Sequence, residues 1–251
     1  MLSFFKRNKA PREENYPDFS FLGTDFHSHL LPGIDDGSPD PETSVQLIQG
    51  LQEQSFHRLI TTPHIIQDIY PNTAETIQKA YQLLQEYAAQ RGVELPLRFA
   101  AEYMLDDSFK DQVTRKNLLT LDGEKVLVEF PMAAAPLQEH QLLFDMQMHG
   151  YVPVLAHPER YRYWHTHLSH YEQLKNNGAY LQLNLTSLVG YHGSDVKKVA
   201  WQLLRKGWVD FLATDLHHEK HLRALQSFRQ SLAFAELQKY PFLNGQLTEH
   251  S

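Results

Sequence analysis

The chain has 251 residues, 42% hydrophobic and 12% aromatic, enough to bury the core of one large domain. It contains no cysteine, which excludes disulfides, thiolate metal sites and phosphatase mechanisms built on a cysteine nucleophile, and leaves fifteen histidines to explain. A net charge of -7 argues against a general nucleic-acid binder, which needs a Lys/Arg surplus to neutralise phosphates.

Residues 1–17 are basic, then acidic, then Pro-containing, and read as an N-terminal tail ahead of a single domain over 18–251. The first ten residues lack the apolar core of roughly 7–15 residues that a secretory signal requires. Nothing later approaches the ~20 apolar residues of a membrane span. The expected location is therefore the cytoplasm, without membrane insertion.

From there, short apolar runs alternate with amphipathic stretches, the rhythm of βαβ units. Strands are expected over Gly23–His27, Arg58–Thr62, Leu97–Glu102, Val126–Phe130, Val152–His157, Tyr180–Asn184 and Asp210–Asp215. Helices are expected over Pro41–Ser55, Thr73–Arg91, Leu137–Gly150, His167–Asn177, Asp195–Gly207 and His221–Leu232, where apolar residues recur at helical spacing. Ser38-Pro39-Asp40 and Asn72 supply start signals, and Gly92, Gly150, Gly178 and Gly207 supply stops. Tyr103–Lys125 reads as a short helix plus loop. Seven strands with crossover helices make an α/β barrel the expected class.

A buried parallel strand should be apolar throughout, so a metal-capable side chain at its end is informative. The first run leads to Asp25, His27 and His29, the second to His64, the third to Glu102 and the fourth to Glu129. The fifth leads to His157 and the seventh to Asp215 and His217. In a parallel barrel all these ends lie at one rim, where residues distant in sequence converge. On an extended strand end, His27 and His29 point the same way and can grip one ion. From the Asp35-Asp36-Gly37 turn a carboxylate can reach inward to a hard divalent cation. Thr61-Thr62-Pro63-His64 ends a strand with a residue held extended before proline. Buried, Glu102 and Glu129 each need a counter-charge, which a metal ion supplies. Each motif is weak alone; the ordered set is not.

These runs, DFHSHLLPGIDDG (Asp25–Gly37), TTPH (Thr61–His64), AEY (Ala101–Tyr103), VEFPM (Val128–Met132), AHPERY (Ala156–Tyr161) and ATDLH (Ala213–His217), resemble the PHP-domain phosphoesterases. Within them the likeness is to the bacterial manganese-dependent protein-tyrosine phosphatases of capsule and exopolysaccharide operons, from Gly23 to about Leu232. The resemblance implies a distorted, TIM-like seven-stranded (β/α) barrel, the PHP fold, and a site of two or three ions. Its ligands would be His27, His29, Asp36, His64, Glu102, Glu129, His157, Asp215 and His217, with at least one of the two glutamates bridging. Arg160 matches the arginine of the family's AHxER motif and would bind phosphate. Relatives place a second arginine about five residues past the last histidine, where this chain has Leu222 and then Arg223.

The implied reaction is hydrolysis of phosphotyrosine by metal-activated hydroxide, without a covalent enzyme intermediate. The proton would reach the leaving group from His217 or from water on the metal. The implied substrate is a tyrosine-phosphorylated protein, a kinase controlling polysaccharide export. Manganese is the implied ion, although such a ligand set also accepts iron, cobalt and zinc. A small-molecule phosphatase such as histidinol-phosphate phosphatase, or a non-catalytic metal-stabilised module, are the alternative readings.

Around this set, Tyr161, Tyr163 and Trp164 either wall a phosphotyrosine pocket or pack beneath the rim. His165, His167 and His170 read as solvated, and His57, His140 and His149 as structural. His192 reads as preceding a helix. Asn184 is expected to contact a ligand residue or substrate, and Asp25 to orient a ligand histidine.

Overall fold

The computed structural model describes residues 18–106 and 108–247, so the tail expected over 1–17 lies outside the described residues. Nine short strands form: β1 (Thr24–Asp25), β2 (Arg58–Thr61), β3 (His64–Ile65), β4 (Leu97–Phe99), β5 (Glu102–Met104), β6 (Lys125–Glu129), β7 (Val152–Ala156), β8 (Tyr180–Asn184) and β9 (Phe211–Ala213). Seven of them fall at the seven expected runs; β3 lies just beyond the second run, which was expected to end at Thr62, and β5 starts at Glu102, the last residue of the third. Between β2 and β3 the break sits at Thr62-Pro63, where proline has no N–H to give the ladder. Between β4 and β5 it sits at Ala100-Ala101.

All pairings are parallel. They make a three-stranded sheet, β1-β2-β4, and a six-stranded sheet, β3-β5-β6-β7-β8-β9. The chain leaving β9 also meets the chain leaving β1 at a parallel Ser28–Leu216 bridge. There Asp215 N–H donates to His27 O and His29 N–H to Leu216 O, both at 2.8 Å. The α/β class and parallel topology are as expected, but the ladder is divided between two sheets.

The long helices form where the apolar spacing and caps predict them. Asp40 accepts from Thr43 N–H at the head of α1 (Pro41–Glu53), which buries Val45, Leu47, Ile48 and Leu51. A reciprocal Thr73/Thr76 box opens α2 (Ala74–Ala89). The short α3 (Phe109–Thr114) lies in the expected short-helix segment. Then come α4 (Glu139–Met148) and α5 (Ser169–Asn176), followed by a single turn, α6 (Leu185–Leu188), which the sequence reading missed. After α7 (Ser194–Arg205), the last expected helix proves to be two: α8 (Glu219–Arg229) begins earlier, and α9 (Leu232–Leu237) follows Ser231. Among the described residues no helix is long and apolar enough to cross a membrane.

Side-chain alternation along the strands divides the core in two. Val126, Val128, Leu155, Leu181, Leu183 and Leu212 join the large cluster shared with the helices. Leu127, Val154, Ala156, Phe211 and Ala213 form a smaller cluster with Phe26, Ile60, Ala100, Leu121 and Leu247. Leu247 comes from a C-terminal segment absent from the expected elements. Beside it the buried Asn244 donates through Nδ2 to Thr24 O and Leu212 O, and its Oδ1 accepts from Leu212 N–H. One amide thus ties β1 to β9.

Asn244→Ala leaves those backbone groups without partners. With an unsatisfied buried polar group costing about 1–3 kcal/mol, the variant should lose that much stability in urea unfolding. A midpoint equal to wild type would show that water takes over the amide's role.

Candidate metal centre

The strand ends deliver their polar residues to one place. His27 and His29 follow β1, His64 opens β3, Glu102 opens β5, Glu129 closes β6, His157 follows β7, and Asp215 and His217 follow β9. Asp36 enters from the turn before α1. Four overlapping groups have donor atoms within 4.8 Å of one another: His29/Asp36/His64/His217, His27/His29/Asp215, His27/Glu102/His157 and His64/Glu102/Glu129. Together they contain all nine expected residues and no other.

Glu102 is the hub. Its Oε2 lies 3.2 Å from His27 Nε2, 3.5 Å from His29 Nε2 and 3.1 Å from His64 Nδ1, while Oε1 lies 3.1 Å from His157 Nε2. Glu129 Oε1 is 3.0 Å from His64 Nδ1, and Asp215 Oδ1 is 3.4 Å from His27 Nε2 and 3.5 Å from His29 Nε2. Asp36 Oδ1 stands 3.5 Å from Nε2 of both His64 and His217.

Such distances look like ion pairs, yet His27 Nε2, His29 Nε2, His64 Nδ1, Glu102 Oε2 and Glu129 Oε1 are buried with no aligned hydrogen bond. Buried polar atoms are rarely left so. Atoms that crowd together without facing one another as donor and acceptor are arranged as ligands around shared centres. The residues present therefore fit divalent ions.

Electrostatics agree. Burial opposes the charged form of every group here, but Glu102 and Asp215 carry His27 above its ordinary value, and Asp35 with the neighbouring carboxylates carries His29 well above. Against burial and His29, Glu102 and Glu129 lift His64 to about 10. Against burial, the imidazoles hold Glu102 and Asp215 well below the usual carboxylate range. Protons on imidazole answer the carboxylate charge, and cations binding here displace them.

A further layer of contacts fixes the imidazoles. His27 Nδ1 meets Gln182 Oε1 at 2.7 Å, His29 Nδ1 meets Asp35 Oδ2 at 2.9 Å, and His217 Nδ1 meets the Asp215 carbonyl at 3.0 Å. Each holds a ring through Nδ1–H and turns Nε2 inward. Gln182 Nε2 donates to Asn184 Oδ1, and Asn184 Nδ2 to Asp215 Oδ2 at 2.6 Å. Asn184 therefore braces Asp215.

Asp25 does not orient a histidine. It accepts from Thr214 N–H at 2.8 Å and from the Thr214 hydroxyl at 2.9 Å, and burial pushes its carboxyl up to about 7. It clamps β1 to the end of β9 beside Asp215. Both His157 and Asp215 hold left-handed backbone, φ 35° and 51°, which non-glycine residues seldom adopt and which here aims side chains off the strand ends.

The cluster opens into a cavity of about 460 Å³. Among the described residues Arg160 is its only arginine or lysine, with Nη1 donating to Asp215 Oδ2 at 2.9 Å. Arg223 is not brought there. It lies exposed on α8 and pairs with Glu219 at 2.9 Å, while its neighbour Leu222 is buried. The wall is instead completed by His192, His218 and His221, of which His192 was read only as preceding a helix. Tyr161, Tyr163 and Trp164 do not line the cavity. They pack beneath it: the Tyr161 hydroxyl donates to Ala156 O and accepts from Phe130 N–H, and Trp164 meets Phe130 edge-on at 5.4 Å. Its apolar side comes from Ile66, Ile69, Tyr70, Met104 and Met132.

Comparison with known proteins matches this arrangement. The tyrosine-protein phosphatase YwqE of Bacillus subtilis is 30% identical over 197 residues, 78% of each chain. A putative tyrosine-protein phosphatase, CapC of Staphylococcus aureus, is 26% identical over 89% of each. A structure from work on YwqE of B. subtilis and CpsB of Streptococcus pneumoniae, described as unique metal-dependent tyrosine phosphatases, superposes with a TM-score of 0.77 at 28% identity, over 89% of this chain and 90% of that one. A family model for capsular polysaccharide synthesis, CpsB/CapC, matches residues 23–232, and the chain belongs to that family.

Proposed function

We propose that the protein is a cytoplasmic, metal-dependent protein-tyrosine phosphatase, hydrolysing phosphotyrosine on a tyrosine kinase that controls polysaccharide export. The observation that carries this reading is the convergence of nine ligand-type residues beside Arg160 at the mouth of one cavity. The names of the relatives supply the substrate class. We also read the two sheets as the walls of one distorted seven-stranded barrel, supported by the Ser28–Leu216 bridge between the first and last strand runs.

His27, His29, Asp36, His64, Glu102, Glu129, His157, Asp215 and His217 would hold two or three divalent ions, manganese first and iron, cobalt or zinc as alternatives. Such ions supply Lewis acidity, an activated water near neutral pH and compensation of phosphoryl charge. The protein's residues do the rest. Arg160, braced by Asp215, presents its guanidinium to the phosphoryl oxygens, where planar paired donors suit the developing charge. Glu102, in contact with four imidazoles, fixes the spacing of the ligand set. The departing phenolate needs little acid, since a tyrosine hydroxyl has a pKa of about 10. The proton would come from His217, which lines the cavity with Nδ1 against the Asp215 carbonyl, or, when its Nε2 holds an ion, from water.

The apolar side of the cavity fits an aromatic leaving group. The Tyr70 ring lies nearly parallel to His64, 10° apart at a centroid distance of 5.6 Å, with Ile69 largely exposed beside it. Tyr70→Ala should raise KM for a phosphotyrosine peptide roughly tenfold, the worth of one aromatic contact of about 1.4 kcal/mol, with kcat little changed. An unaltered KM would place the ring elsewhere.

The deciding assay offers metal-stripped protein a tyrosine-phosphorylated peptide and, separately, histidinol phosphate, each with and without manganese. Manganese-dependent release of phosphate from the peptide alone is expected. Turnover of histidinol phosphate alone would keep the metal site and overturn the tyrosine-phosphatase reading.

A further inference from the structure

Outside the nine-residue cluster, the described residues hold one other group of metal-type donors within 4.8 Å: Glu139, His140 and His170. The first two open α4, and the third lies in the first turn of α5. Glu139 Oε1 is 3.9 Å from His170 Nε2 and 4.0 Å from His140 Nε2, and the two rings stand 5.5 Å apart. Both imidazoles thus turn the same nitrogen toward one carboxylate oxygen. Neither contact is short enough for a hydrogen bond.

His170 carries the argument further. Its ring lies 4.0 Å from that of Trp164, which fixes its plane. Its Nε2 is buried and has no hydrogen-bond partner. Burial holds the ring below the ordinary histidine value, which favours the neutral form that can offer Nε2 to an ion. A tetrahedral ion with bonds of about 2.0–2.1 Å sets its donors roughly 3.3 Å apart, so each imidazole nitrogen, now 3.9 or 4.0 Å from the carboxylate oxygen, needs to close on it by about 0.6–0.7 Å, within the reach of side-chain rotation.

We infer that Glu139, His140 and His170 form a second divalent-cation site, separate from the catalytic cluster, suited to zinc with water in the fourth position. Two donors on α4 and one on α5 make the ion a cross-link between those helices. It would pin the end of the 131–138 loop, whose Met132 lines the cavity and whose Pro131 carbonyl accepts from the Tyr163 hydroxyl. The inference does not depend on the substrate of the catalytic cluster.

The test uses the full chain, stripped with chelator, reloaded with excess zinc, desalted and assayed for metal per chain, alongside His140→Ala and His170→Ala. Wild type should retain one more zinc than either variant, and binding of that zinc should shift tryptophan emission in wild type only. Manganese-supported phosphatase activity of His140→Ala should stay within about twofold of wild type, since that ring is half exposed and outside the catalytic cavity. Should His170→Ala fold poorly once Trp164 loses its neighbour, His140→Ala decides the matter. Equal zinc content in folded His140→Ala and wild type would overturn the second site.

Discussion

Glu102→Gln is expected to lower kcat on a phosphotyrosine peptide on the order of 10³-fold, about 4 kcal/mol, and to lower the manganese retained after desalting by at least one equivalent. The substitution keeps shape and removes charge from a group that touches His27, His29, His64 and His157. An amide offers one oxygen where the carboxylate offers two, and its NH2 group would face imidazole nitrogens that need an acceptor turned toward a cation. Glutamine is therefore worse than a weak ligand at this position: it places donors where ligands belong. The measurement is metal content with single-turnover rate. Full metal content and a rate within tenfold of wild type would remove Glu102 from the ligand set and leave the orphaned imidazole nitrogens unexplained.

Arg160→Ala should cost roughly 10²–10³-fold in kcat/KM, the range for removing one preorganised donor to a developing oxyanion, while metal content stays near wild type. Because the cavity has no other arginine or lysine, no neighbour can substitute for it. Arg160→Lys should recover only part of the loss, since an ammonium restores charge without the paired planar donors. The split between the variants matters because Arg160 also donates to Asp215. If Arg160→Ala loses metal in proportion to activity, its role is to hold Asp215, and the phosphate must be bound by the histidine wall.

Most of the centre was legible because its residues break a rule that buried parallel strands otherwise keep. Val126-Leu127-Val128-Glu129 and Val154-Leu155-Ala156-His157 each run apolar until one polar, metal-capable side chain. Gln182 was overlooked although it carries the same signal. In Leu181-Gln182-Leu183-Asn184 the glutamine and asparagine share one face, and both are fully buried. Arg223 fails for a reason of helical phase: on α8, His221 lines the cavity and Leu222 enters the core, while Arg223, about 200° round from His221, faces solvent. The division of the strand ladder into two sheets depends on Thr62-Pro63 and Ala100-Ala101, whose effect on the ladder is tertiary. Asn244 and the His140–His170 pairing are contacts between segments far apart in the chain, and no local pattern announces them.

The clamp made by Asn244 has a consequence for the order of events during synthesis. Strands β1 and β9 are joined partly by residues that leave the ribosome after the whole remainder of the barrel, because the amide bridging Thr24 to Leu212 lies twenty residues or more beyond α8's start. His27 and His29 sit just past one of those strands, and Asp215 and His217 just past the other. A nascent chain paused before residue 243 would therefore carry all nine clustered residues and the Asp25–Thr214 and Ser28–Leu216 links, yet lack the amide that braces those links from behind. Metal capture should then tighten only at the last stage of biogenesis, and chains interrupted near their end should hold metal more weakly than the finished protein.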